Sequence, residues 1–109
     1  MDKTATPTKI VFVPNKSGHD FSKAERFGRL FYLSEGIVSR LNVNQIHRAF
    51  ASAMVESRAE DFILITGLNI LNSIACSIQA KKFGQVNFLM YKMSGDGNHD
   101  YVARSIFLD

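Results

Sequence analysis

The chain has 109 residues, of which 46% are hydrophobic and 21% charged, with nine Phe and no Trp. That composition excludes a disordered chain, and the length allows one compact domain over 1–109 and is too short for two. The 13 Lys and Arg are dispersed among 10 acids for a net charge of +3, without the clustered basic stripe of a dedicated nucleic-acid binder.

Residues 1–8 read as a loose polar end. Lys9 to Val13 (KIVFV) is a β-branched and aromatic run stopped by Pro14, hence a strand. Asn15 to His19 (NKSGH) is a turn-rich loop. Ser22 and Glu25 have capping-box spacing for a short helix that reaches Phe27 and stops at Gly28. Arg29 to Leu33 reads as a second strand, closed by Ser34-Glu35-Gly36. Asn42 is placed as an N-cap with Gln45 three positions on, and Leu41 and Ile46 are spaced for a hydrophobic staple. The helix they open runs to about Ser57, with Val43, Ile46, Phe50, Ala53 and Met54 on one face.

Asp61 opens the third strand, Phe62 to Thr66, whose unbroken apolar run predicts burial on both faces and a central position. The helix from Asn69 to Phe83 places Leu71, Ile74, Ala75 and Ile78 inward. Lys81 and Lys82 suit the negative end of its dipole, and Gly84 is its C-cap. Val86 to Tyr91 is a fourth strand. Ser94 to Asp100 (SGDGNHD) is a turn, and Tyr101 to Leu108 returns as an antiparallel fifth strand.

The order β-(short α)-β-α-β-α-β-β, with right-handed crossovers, defines an α/β fold. The expected form is a small mixed, mostly parallel sheet of about five strands with two main helices and a C-terminal β-hairpin. So small a sheet is expected to leave an apolar face or edge uncovered, which predicts a homo-oligomer.

Parallel strands bring their carboxyl ends to one rim, and open α/β sheets bind ligands there. That rim collects Asn15, Lys16, Ser17, Gly18 and His19, then Ser34 and Glu35, then Thr66, Gly67, Asn69, Asn72 and Ser73, with Lys92 after the fourth strand. The helix beginning near Asn69 would point free N–H groups at an anion, and Gly67 would let backbone approach it closely. The candidate ligand-binding set is therefore Asn15, Lys16, Ser17, Gly18, His19, Thr66, Gly67, Asn69 and Asn72. No GxGxxG or Walker pattern is present, and a single Gly at a strand–helix turn is also ordinary loop chemistry.

His19-Asp20 and His99-Asp100 are HD pairs. Metal-dependent phosphohydrolases need further His and Asp ligands on helices, so no metal site is assigned. Asp20 serves equally as a helix cap and Asp100 as a turn residue. Cys76, the one cysteine, lies mid-helix and reads as a buried structural thiol in a reducing compartment. Ser17-Gly18-His19 lacks a nucleophile elbow, and no catalytic residue or cofactor is assigned. The strand aromatics Phe12, Phe31, Tyr32, Phe62, Phe88 and Tyr91 read as core rather than as an RNA-stacking face, because two amphipathic helices must cover the sheet. MDKTATPTK lacks the apolar centre of a signal peptide, and no run approaches the roughly 18 apolar residues of a membrane span. A soluble cytoplasmic protein is expected.

The pattern DFILITG, then a small-residue helix ending in KKFGQVNFLMY, then YVAR, resembles small proteins carried by tailed bacteriophages over roughly residues 10–106. The resemblance implies a compact accessory protein in an infected cell, binding a host protein, a nucleotide signal or a nucleic acid. It brings no activity with it. The resulting expectation is an intracellular α/β binding module that self-associates and holds a phosphate-bearing, nucleotide-like molecule or a partner protein. One alternative is a small hydrolase or phosphotransfer enzyme using His19 and Asp20 beside Thr66-Gly67. Another is weak nucleic-acid binding through Lys16, Lys23, Arg26 and Arg29.

Overall fold

The computed structural model describes residues 8–39 and 41–108, so the expected loose end falls almost wholly outside the described residues. The elements are β1 (Ile10–Val13), a short 3-10 helix (Ser22–Phe27), β2 (Arg29–Tyr32), α1 (Val43–Ala53), β3 (Phe62–Leu64), α2 (Asn69–Phe83), β4 (Gln85–Met93) and β5 (His99–Phe107). They build one five-stranded sheet in the order β2-β1-β3-β4-β5. The first four strands are parallel neighbours, and β5 runs antiparallel to β4. This is the mixed, mostly parallel α/β sheet expected from the sequence.

Strand alternation divides the core between the two faces. Phe12, Ile63 and Val86 pack under Ile46 and Phe50 of α1 and Leu71, Ala75 and Ile78 of α2. Val11, Val13, Leu64 and Leu89 pack on the opposite face with Phe21 and Ala24 of the 3-10 segment and with Tyr101. The chain leaves β1 to one side for β2, then crosses to its other side for β3. That reversal opens a crevice between the ends of β1 and β3.

Several capping signals gave way to other local bonds. Ser22 does not cap its helix; Asp20 Oδ1 instead accepts the Ser22 N–H at 2.9 Å. Asn42 makes no side-chain cap bond to the backbone and donates to Gln45 Oε1. Leu41 is 94% exposed, so the staple to Ile46 does not form.

Helix α1 stops at Ala53 rather than near Ser57. Lys82 Nζ donates to the carbonyls of Met54 (2.9 Å) and Val55 (3.3 Å) and to Ser57 Oγ (2.7 Å). Gln79 Oε1 accepts the Ser57 hydroxyl at 2.6 Å, and Gln79 Nε2 donates to the Arg58 carbonyl at 3.1 Å. Lys82 thus satisfies carbonyls left open just past the end of the neighbouring helix, the groups a helix terminus leaves without partners. Helix α2 has the expected bounds. Gly84 ends it in the left-handed region (φ +69), with its N–H on the Ala80 carbonyl at 2.8 Å.

The amino ends of the strands are tied shut. Asp61 is 1% exposed. Its Oδ1 accepts the Ile10 N–H at 2.9 Å and its Oδ2 the Arg58 N–H at 2.8 Å. Asn87 donates to the carbonyls of Ala59 (2.8 Å) and Asp61 (3.1 Å) and accepts the Ser105 hydroxyl at 2.7 Å.

At the other end, β3 is shorter than expected, although the Ile65 N–H still reaches the Leu89 carbonyl at 3.0 Å. β4 and β5 are longer than expected. The turn between them shrinks to Ser94–Asn98, where the Ser94 N–H meets the Asn98 carbonyl at 2.7 Å and Asp96 accepts the Asn98 N–H at 3.0 Å.

Candidate binding cleft

The open end of the sheet holds a cleft of about 930 Å³ at the switch between β1 and β3. The loop after β1 contributes Asn15, Ser17, His19, Asp20 and Phe21 to its lining. Gly36, Ile37 and Val38 follow β2, and Ile65 to Leu68 follow β3. Tyr91, His99 and Tyr101 come from the hairpin.

Asn15 lies where β1 has passed Pro14 and the backbone continues beside β2. The Lys16 N–H meets the Ser34 carbonyl at 2.7 Å, and the Gly36 N–H meets the Lys16 carbonyl at 3.1 Å. Ser34 Oγ lies 2.6 Å from the Pro14 carbonyl and 2.8 Å from Asn15 Oδ1. Asn15 is only 5% exposed, and the other end of its amide has no partner among the described residues. A buried amide group without a partner is costly.

Across the crevice, buried Asn72 reaches back from α2 to fix Thr66. Its Oδ1 accepts the Thr66 N–H (3.0 Å) and hydroxyl (3.1 Å), while its Nδ2 donates to the Thr66 carbonyl at 2.8 Å. Thr66 Oγ1 in turn accepts the Leu68 N–H at 3.3 Å. The N–H groups of Gly67, Asn69 and Ile70 then remain without partners among the described residues.

The hairpin supplies an aromatic wall. Tyr91 lies 5.3 Å from the His99 ring and 5.8 Å from the Tyr101 ring, the latter edge to face. Burial, with Tyr91 and Asp20 nearby, raises the Tyr101 hydroxyl above its usual range. The Ser22 N–H bond is the main cause that holds Asp20 below the usual carboxylate range.

Of the nine candidate residues, Asn15, Ser17, His19, Thr66 and Gly67 line the cleft. Lys16 is directed elsewhere, with Nζ 5.2 Å from the Tyr32 ring centre and 4.0 Å from Glu35. Gly18 is outside the lining, in open space. Asn69 opens α2, and its carbonyl accepts the Ser73 hydroxyl at 3.1 Å. Asn72 is spent on Thr66. The apolar walls and the hairpin aromatics were absent from the sequence-based set.

The two HD pairs converge in part, since His19, Asp20 and His99 all border the cleft. Asp100 turns away to Arg26 at 3.0 Å, which also donates to the Tyr101 carbonyl at 2.9 Å. Lys23 donates to the His99 carbonyl at 2.7 Å. Among the described residues no Lys or Arg lines the cleft, and no group of three or more His, Cys, Asp or Glu converges. Cys76 lies on α2 outside the cleft, and burial pushes its thiol up to about 11.

Fold and cleft together define a small α/β protein of the open-sheet kind, with a ligand-sized crevice at the carboxyl ends of its parallel strands. The family described as Phage Pam3 gp32-like protein matches residues 9–104, and the chain belongs to it. The phage resemblance read from the sequence is thereby established. No curated protein gives a match. No helix among the described residues is long and apolar enough to cross a membrane.

Proposed function

We propose that this phage accessory protein is a binding module that holds a nucleotide-like small molecule in the switch-point cleft, in the cytoplasm of the infected cell. The unpartnered amide end of Asn15 carries the reading. It is buried, it borders the cleft, and it faces a site whose other wall is aromatic. A planar ring with hydrogen-bonding edges would satisfy the amide and contact Tyr91 and Tyr101. A phosphate would be read by the open N–H groups of Gly67, Asn69 and Ile70 at the start of α2, because among the described residues no cationic side chain lines the cleft.

The test is calorimetric titration with a panel of nucleosides and nucleotides against the wild type, Asn15→Ala and Tyr91→Ala. Each substitution is expected to weaken binding by roughly 10-fold or more, the equivalent of one lost hydrogen bond or ring contact. A panel that gives no binding, or binding indifferent to both changes, overturns the reading.

A second reading, a small hydrolase or phosphotransfer enzyme, is favoured by His19, Asp20 and His99 bordering one cleft beside Thr66-Gly67. An imidazole in such a place can act as a general acid or base. Turnover of phosphoesters that falls in both His19→Ala and His99→Ala would support it, and the absence of turnover across a phosphoester panel would remove it.

A further inference from the structure

The two halves of β5 are treated differently. Leu108 donates to the Gly84 carbonyl at 2.7 Å, and Ser94 donates to the Asn98 carbonyl at 2.7 Å. These bonds fix the even-numbered positions of β5 as those bonded to β4. By antiparallel alternation, His99, Tyr101, Ala103, Ser105 and Phe107 turn their N–H and C=O groups outward.

The half near the cleft is occupied. Lys23 holds the His99 carbonyl at 2.7 Å and Arg26 the Tyr101 carbonyl at 2.9 Å, while the Tyr101 N–H meets Asp100 Oδ1 at 2.7 Å. The far half is open. The N–H groups of Ala103, Ser105 and Phe107 have no partners among the described residues, and the Ala103 carbonyl carries only the exposed Arg104 side chain, at 2.7 Å. The same half exposes Ile106 (48%), Phe107 (69%) and Leu108 (51%). An edge strand with free ladder groups and apolar side chains is a template for another strand.

We infer that the chain self-associates through this half-edge, Ala103 to Phe107 pairing antiparallel with the same segment of a second copy about a two-fold axis at Ser105. This register sets Phe107 against Ala103, large against small, and Val102 against Leu108 on the helix-covered face. It also sets Arg104 against Ile106, whereas shifting the axis by one residue to Arg104 would place that cation against itself and bring the occupied Tyr101 carbonyl into the ladder. Taking roughly 200 Å² for each large apolar side chain, the three exposed ones offer roughly 350 Å² per copy. With the backbone strip added, two copies approach the about 1,000 Å² that a specific interface requires. Pairing occupies the end of β5 remote from Tyr101 and His99, so the cleft stays open.

Sedimentation velocity over a micromolar concentration series tests the inference. The wild type is expected to dimerise. Ile106→Glu and Ile106→Lys lose the same apolar contact at an exposed position. Opposite Arg104 of the second copy, the first attracts and the second repels, so Ile106→Lys should dimerise at least ~10-fold more weakly than Ile106→Glu. Ser105→Pro removes an outward N–H and, with it, the hydroxyl bond to Asn87, while the backbone ladder to β4 keeps its bonds, so it should leave a folded monomer, with Ser105→Ala as the control for the lost hydroxyl. If Ser105→Pro fails to fold, the charge pair at Ile106 still decides the matter. Equal behaviour of Ile106→Glu and Ile106→Lys, or a folded Ser105→Pro dimer, refutes the pairing. A wild type that stays monomeric also refutes it and leaves the edge to a strand of another protein.

Discussion

Asn72→Ala tests whether the turn beneath the cleft is held by one side chain. The wild-type amide makes three bonds to Thr66, to its N–H at 3.0 Å, its hydroxyl at 3.1 Å and its carbonyl at 2.8 Å. Truncation leaves the Thr66 N–H and carbonyl without protein partners beside a partly water-accessible cleft. At about 1 kcal/mol or more for each group stranded, the expected loss is roughly 2–4 kcal/mol. That is a large part of the roughly 5–15 kcal/mol that holds a domain of this size folded, and at about 4 °C per kcal/mol it lowers the melting point by roughly 8–16 °C. Urea unfolding measures it, with an unchanged m-value showing that the denatured state is not the cause. Asn72→Asp is the sharper variant, because it keeps both acceptor bonds but sets a carboxylate oxygen against the Thr66 carbonyl. It should be at least as destabilised as Asn72→Ala at neutral pH. Ser77→Ala is the control: its hydroxyl bonds the Ser73 carbonyl at 2.7 Å on the exposed face of the same helix, and its loss should change stability by less than about 0.5 kcal/mol. If Asn72→Ala falls in the control's range, the clamp does not fix the turn.

Gly28 and Gly18 make a contrasting pair. A Cβ at Gly28 would stand 2.4 Å from the Lys9 carbonyl oxygen and 2.8 Å from its carbon, both backbone atoms. Gly28→Ala should therefore cost at least about 2 kcal/mol, while Gly18→Ala, with nothing within 4 Å, should stay within about 0.5 kcal/mol; coincident thermal melts would refute the contrast. Burial raises the Cys76 thiol from 9.0 to about 11, so the folded state holds its proton more tightly than the unfolded state. The resulting stability is fully present below about pH 9 and fades as pH rises to about 11, a difference of roughly 1–3 kcal/mol. Cys76→Ala should flatten that alkaline decline, and disulfide-exchange labelling of native protein at pH 8 should run roughly 100-fold slower than that of a free thiol. Rapid native labelling would contradict the raised value.

Helix α2 was legible because every signal for it was local. Its apolar positions, the two lysines of its last turn and Gly84 lie within one stretch of chain. The end of α1 was not, because the group that donates to the carbonyls just past it is Lys82, 27 or 28 residues further on. The helix starts differ for a local reason. Asn42 and Ser22 carry the right side chains in the right places, but Asn42 bonds the Gln45 side chain, and Asp20, equally suited as a cap, takes the Ser22 N–H. A residue type at a helix start states what it can bond to, while packing decides what it does bond to.

The cleft was half legible for a comparable reason. Residues that follow parallel strands must share a rim, which brought Asn15, Ser17, His19, Thr66 and Gly67 together on paper. The aromatic wall depends on the hairpin register, in which Tyr91 faces Tyr101 and Met93 faces His99. That register follows from a turn shorter than its Gly- and Asn-rich sequence suggested, and a slip of β5 by one residue would have sent Tyr101 to the other face, away from Tyr91. The basic residues close the argument. Read as a dispersed surface charge, Lys23 and Arg26 instead bond the His99 and Tyr101 carbonyls, fixing the hairpin against the short helix where it walls the cleft. They withdraw that half of β5 from any pairing. The cleft and the free edge are thus separate consequences of one strand, divided at the point where its outward groups cease to be held by Lys23, Arg26 and Asp100.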